Sequence, residues 1–315
     1  DLCADMAAVC PNALLLNYAN PMAINTWAIA ARFPAIRQVG LCHSVPQTAQ
    51  LLAREAGVAP GALRYTVGGI NHMAFFLRLE AEGRDLYPEL QAGYAEGRLP
   101  RAPREMPRCA NLIRFEMMKR TGFFVTESSE HFAEYVPWFL KSHRPDLVER
   151  WQIPLDEYPR RCVEQAAEWG AQAAALATAE TLPHDPSDEY AAAIMAAEVT
   201  GTPAVVYANV RNGALIPALP EGAAVEVPCL VDANGVQPVS PGPVPVHLTA
   251  MMRTNVGVQE LTVAALLQEK RDHLYHAAMM DPRTAAELDL DQIWSLVDRL
   301  TEAHGDWIPD WARRP

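Results

Sequence analysis

Ile36-Arg37-Gln38-Val39-Gly40-Leu41-Cys42-His43 and Tyr65-Thr66-Val67-Gly68-Gly69-Ile70-Asn71-His72 decide how this chain is read. In each, a strand-like run ends near a glycine and delivers a side chain that binds metals, Cys42 in the first and His72 in the second. Ligands of parallel α/β sheets bind just outside the carboxyl ends of the strands. A cysteine and a histidine delivered there by neighbouring strands can share one ion. Thiolate and imidazole both suit divalent first-row transition metals. Two protein ligands leave positions open for a substrate, whereas structural sites are closed by four. For an isolated cysteine and histidine the commoner outcome is a buried thiol and a packed imidazole. The surrounding sequence has to overturn it.

Upstream, Ala13-Leu14-Leu15-Leu16-Asn17-Tyr18 is a continuous apolar run of the kind found in buried parallel strands, and it stops at Asn20-Pro21. A helix is expected over 22–32, a strand over 36–41, a helix over 45–56 and a strand over 64–68. Strand–helix–strand–helix–strand predicts the right-handed crossovers of a doubly wound α/β sheet. Beyond it, 75–79 continues extended, and a Pro- and Arg-rich stretch (99–108) leads to a helix over 109–121. Helices are expected over 159–181, 187–200, 258–275 and 293–304, with strands over 204–209 and 224–230. The break between an α/β first domain (1–77) and an α+β second domain (78–315) is placed near residue 77.

The bulk composition narrows the partners. Formal net charge is -12, from 26 Lys+Arg against 38 Asp+Glu, which argues against nucleic acid or an anionic membrane as partner. No apolar run approaches the length of a membrane-spanning helix. The 6 cysteines (Cys3, Cys10, Cys42, Cys109, Cys162, Cys229) show no framework spacing, as expected of reduced thiols in a cytoplasmic protein. The opening Asp1-Leu2-Cys3-Ala4-Asp5-Met6 reads as the middle of a helix, so the expectation is that an N-terminal part of the natural protein precedes it.

Several constellations are candidates for chemistry. Pro21 holds Asn20 extended at a strand end, where its amide either meets a ligand or caps the next helix. Thr126 to Tyr135 concentrates polar groups, with Ser129 a plausible N-cap and His131 and Tyr135 four apart on one helical face. A tyrosine beside a divalent cation can ionise and act as a base. His273 and His276 have a metal-compatible spacing, but packed or solvated histidines are commoner. No Walker loop, Gly-x-Ser-x-Gly, His-Glu-x-x-His or Gly-x-Gly-x-x-Gly motif is present in the sequence.

Taken together, these motifs resemble glycoside hydrolase family 4, in particular its α-galactosidase branch. The resemblance rests on Asn20-Pro21-Met22-Ala23, Gly40-Leu41-Cys42-His43-Ser44, Gly69 to Phe75, Thr126 to Tyr135, Asn209-Val210-Arg211-Asn212, Val225-Glu226-Val227-Pro228 and His276 to Pro282. It implies that residues 1–77 are the second half of a Rossmann-like, lactate-dehydrogenase-like parallel sheet, followed by an α+β substrate domain over 78–315. It implies NAD and a divalent cation, usually Mn2+, with Cys42 and His72 as the metal ligands and Tyr135 as catalytic base. Asn20 is then expected at the substrate and cofactor, Asn71 at the substrate, and the chain in a dimer or tetramer.

The implied chemistry departs from the two-carboxylate route of most glycoside hydrolases, to which this NAD-dependent family is an exception. NAD+ takes hydride from C3 of an α-galactoside, Tyr135 removes the acidified C2 proton, and the C1 group is eliminated. Water then adds and hydride returns. Where phospho-glycosidases of the family carry an acidic residue after the cysteine, this chain has His43, a candidate general acid. The family's Gly-rich pyrophosphate turn is not in this sequence, so weak NAD binding is expected of the chain as it stands. Alternatives are an α-glucosidase, α-glucuronidase or 6-phospho-glycosidase of the same family, an NAD-dependent 2-hydroxy acid dehydrogenase, and a non-catalytic sugar-binding module.

Overall fold

A computed structural model describes residues 1–100, 111–181 and 189–313. The first half runs α1 (Leu2–Val9), β1 (Leu14–Asn17), α2 (Met22–Arg32), β2 (Arg37–Gly40), α3 (Ser44–Ala56), β3 (Leu63–Ile70), β4 (Met73–Ala81) and β5 (Arg84–Asp85). It continues through α4 (Tyr87–Ala95), α5 (Leu112–Thr121), β6 (Phe124–Val125), α6 (Ser129–Tyr135) and α7 (Asp146–Trp151). Then come α8 (Glu157–Thr178), α9 (Ala191–Thr200), β7 (Ala204–Arg211), β8 (Ala224–Asp232) and β9 (Gly235–Pro238). The last third is helical: α10 (Val246–Gln268), α11 (Asp272–Met280), α12 (Pro282–Glu287), α13 (Leu290–His304) and α14 (Asp310–Arg313).

All the described strands belong to one mixed sheet of order β1-β2-β7-β8-β3-β4-β5, with β6 on β4 and β9 on β8. β1 and β2 pair in parallel, joined by α2 as expected of a Rossmann-like crossover. The third strand behaves otherwise. β3 turns at once into β4 through Asn71-His72, with Ile70 opposite Met73, and enters the sheet antiparallel between β8 and β4. A two-residue hairpin closes a short loop, and that local pairing wins over a third crossover. β4 runs through residue 77 without a break.

Side chains of β4 alternate between two apolar clusters, as the two-residue period of a strand requires. Met73 and Phe75 join Val39, Leu41, Ile70 and Phe132 on one face, and Ala74 and Phe76 join Val67 and Phe115 on the other, until a register shift after Phe76 brings Leu79 to the second cluster as well. The expected helix over 258–275 divides in two, α10 ending at Gln268 and α11 beginning at Asp272, with Glu269 left-handed between them. The Pro- and Arg-rich stretch 101–108 and residues 187–188 of an expected helix lie outside the described residues.

Candidate active site

β2 and β3 run in opposite directions, since three antiparallel pairings, β2–β7, β7–β8 and β8–β3, separate them. Cys42 and His72 therefore do not leave adjacent parallel strands at one carboxyl edge. They meet across β7 and β8. One row of residues links their strands: Gly40 opposite Asn209, Asn209 opposite Glu226, Glu226 opposite Gly69. Both ends leave no room for a side chain: a Cβ on Gly69 would lie 2.5 Å from Ala74 Cα of β4, and one on Gly40 would collide with Met22 and Thr26 of α2.

Past this row, ligand atoms of Cys42, His72 and Glu127 all lie within 4.8 Å of one another. His72 occupies the left-handed region (φ 64) in the β3–β4 turn, where histidine is uncommon, a strained placement of the kind found at functional sites. Its Nε2 is 3.3 Å from Glu127 Oε2. Glu127 follows β6, and the adjoining Thr126 carbonyl accepts from Thr48 of α3 (2.6 Å) and from Arg114 of α5 (3.0 Å). Two helices thus fix the strand end that presents Glu127. Thiolate, imidazole and carboxylate together form a donor set that fits a divalent transition metal, with coordination positions left open. Burial lowers the basicity of His72, which favours the neutral, metal-binding imidazole. Burial and the charges of Glu226 and Glu127 raise the Cys42 thiol to about 12, so the metal-free chain holds it protonated.

Tyr135, at the end of α6, sets its ring edge-on to His72 at 5.5 Å, while His131 stacks on the same imidazole at 5.6 Å. α6 begins one residue earlier than the sequence suggested: Ser128, not Ser129, is the N-cap, its Oγ accepting from His131 N at 3.2 Å. In the chain alone, burial and the carboxylates of Glu127 and Glu134 push the Tyr135 phenol up to about 12. Beside it opens a cavity of about 190 Å³. Its walls come from the start of α2 (Pro21 to Ile24), the hairpin turn (Asn71), α6 (Glu134, Tyr135), α10 (Asn255, Val258, Gln259) and Asp281. Asn71 Nδ2 and Gln259 Oε1 are buried there without hydrogen-bond partners.

The remaining expected residues fall around this centre. Asn20 is exposed beside the cavity's Pro21 wall, and its Oδ1 accepts from Met22 N at 3.2 Å. His43 lines neither the ligand cluster nor the cavity; its Nε2 is 2.7 Å from Glu189 Oε1 and its ring stacks on Tyr18 at 5.1 Å. His273 and His276 face each other on α11 with tilted rings 5.7 Å apart and take no part in the ligand cluster. Glu127 and Glu226 lie inside stretches quoted above but were given no role there, and Asn255 and Gln259 were not singled out. Asn255 and Gln259 carried a signal, two polar residues one turn apart on the helical stripe that Leu248, Met252 and Val263 make apolar. Glu226 is the least expected: fully buried on β8, neither oxygen hydrogen-bonded, its carboxyl held above the usual range by burial and by Glu127.

Comparison with known proteins gives this arrangement a family. The pattern described as family 4 glycosyl hydrolase matches residues 1–58, and that of the family 4 glycosyl hydrolase C-terminal domain matches residues 67–284. The chain belongs to glycoside hydrolase family 4. It is 41% identical over 311 residues to an α-galactosidase of Bacillus subtilis (strain 168), covering 99% of this chain and 70% of the relative. It is 32% identical over 335 residues to an α-galactosidase of Rhizobium meliloti (strain 1021), covering 99% of this chain and 64% of the relative. The fold matches the 6-phospho-β-glucosidase of Thermotoga maritima solved with manganese, NAD+ and glucose-6-phosphate (TM-score 0.73, 18% identity, 97% of this chain and 69% of that one).

Proposed function

We propose that this chain carries the sugar-cleaving centre of an NAD- and divalent-metal-dependent α-galactosidase. The observation that carries the reading is the convergence of Cys42, His72 and Glu127 beside Tyr135 at a cavity with unpartnered amide groups. Cys42 and His72 hold the ion, Mn2+ or another divalent cation, and Glu127 closes the set on a third side. When bound, the ion supplies a Lewis acid for substrate oxygens and a positive charge that favours the Tyr135 phenolate. NAD supplies a reversible hydride acceptor. Tyr135 removes the C2 proton of a sugar that carries a carbonyl at C3. His43 lies outside this cavity, held by Glu189, and is given no proton transfer to the departing C1 oxygen. Asn71 and Asn20 hydrogen-bond sugar hydroxyls, Asn20 from the side that also faces the cofactor. Residues 1–77 supply Cys42, His72 and the cofactor side, and 78–315 supply Glu127, the base and the rest of the cavity.

The cavity wall supports a neutral sugar. Among the described residues it presents the carboxylates of Glu134 and Asp281 and no lysine or arginine. A phosphorylated sugar or a uronate would meet like charge without a partner, which disfavours it. In this reading the protein works in the cytoplasm, where Cys42 stays reduced, and as a dimer or tetramer. Hydrolysis of p-nitrophenyl α-galactoside should require NAD+, Mn2+ and a reductant, and should exceed that of the 6-phosphorylated substrate roughly tenfold or more in kcat/KM. Equal turnover of the two, or hydrolysis that persists with a chelator and without NAD+, would overturn it.

A further inference from the structure

Cys42 lies in the step between β2 and α3, outside both the strand ladder and the helix, so its backbone polar groups need partners from elsewhere. One side chain supplies both. Tyr190 Oη accepts from Cys42 N at 2.8 Å and donates to Cys42 O at 3.0 Å, across 148 residues of sequence. Tyr190 is itself held. It is the N-cap residue of α9, whose Ile194 and Ala197 are buried in the core. Tyr18 packs against its ring edge-on at 6.2 Å and accepts from the next amide, Ala191 N, at 3.3 Å. With the peptide groups on both sides of its Cα pinned, the Cys42 Cα–Cβ direction is set, and Sγ reaches His72 and Glu127 by a side-chain rotamer alone.

We infer that Tyr190 is a positioning residue that aims the Cys42 thiol at the divalent ion, an inference that rests on the metal reading proposed above. Outer partners of metal ligands tune affinity by roughly 10- to 100-fold. Tyr190→Phe keeps the ring and removes the clamp, so its Kd for Mn2+ should rise by roughly that factor. The thiolate charge-transfer band of the Co2+-loaded protein should weaken or move. Tyr18→Phe, which leaves both bonds to Cys42 in place, should match wild type in Kd and in the band. A Tyr190→Phe Kd within about twofold of wild type, or an equal loss in Tyr18→Phe, would overturn the inference. Wild-type affinity in Cys42→Ser would instead sink the metal reading itself. Should Tyr190→Phe not fold, amide exchange of the wild-type protein decides. Slow exchange at Cys42 N–H supports the clamp, and exchange at the rate of an open loop contradicts it.

Discussion

Glu127 completes the ligand cluster that Cys42 and His72 begin, and nothing in its local sequence separates it from Glu130 or Glu134 nearby. What distinguishes it is the anchoring of Thr126 by Thr48 and Arg114, two contacts that reach 78 and 12 residues along the chain. Cys42 and His72 stood out because each ends a strand-like run, and Tyr135 because the family motif marks it. Glu127 needed the fold. For Tyr135, edge-on to His72, loss of the hydroxyl removes the base without touching a ligand. Tyr135→Phe should lower kcat by about 10²- to 10⁴-fold, the usual contribution of a positioned base. Its Mn2+ affinity should stay within about twofold of wild type. Steady-state kinetics paired with a metal titration checks this, and a collapse of metal affinity alongside kcat would assign Tyr135 to the ligand set instead.

At the level of elements, the β1–α2–β2 unit was legible because a continuous apolar run, a helix and a second run follow one another without interruption. The place of β3 was not. Its apolar pattern is the same for a parallel crossover and for an antiparallel hairpin, and only the two-residue turn at Asn71-His72 separates them. β7 and β8, distant in sequence, then insert between β2 and β3 and bring Asn209 and Glu226 beneath the site. The stability of this row depends on pH with a definite sign. Glu226 binds its proton more tightly folded than unfolded, so its contribution is fully present below the unfolded value of 4.5 and is lost as pH rises. Glu226→Gln should therefore stabilise the metal-free protein by roughly 1–3 kcal/mol at pH 7 and by little at pH 4. Urea denaturation at both values tests it, and an equal or opposite effect at pH 7 would show that Glu226 is carried as a paired carboxylate.

Across the whole molecule, an acidic chain surrounds a small cavity whose own charges are also acidic. The net charge of -12 argued against nucleic acid or an anionic membrane as partner, and Glu134 and Asp281 at the cavity extend the same electrostatics to a single phosphate. The Rossmann-like crossover and the helical last third followed from periodicity. The position of the cavity did not, because its walls come from α2, the β3–β4 turn, α6, α10 and the α11–α12 junction, five places that only the folded chain assembles. These walls and the ligand cluster make one claim together: the sugar is cleaved by removal of its C2 proton. Hydrolysis of p-nitrophenyl α-galactoside in deuterated water, with NAD+, Mn2+ and a reductant present, tests that claim most directly. The released galactose should carry solvent deuterium at C2; galactose that keeps its original C2 proton throughout would contradict C2 deprotonation.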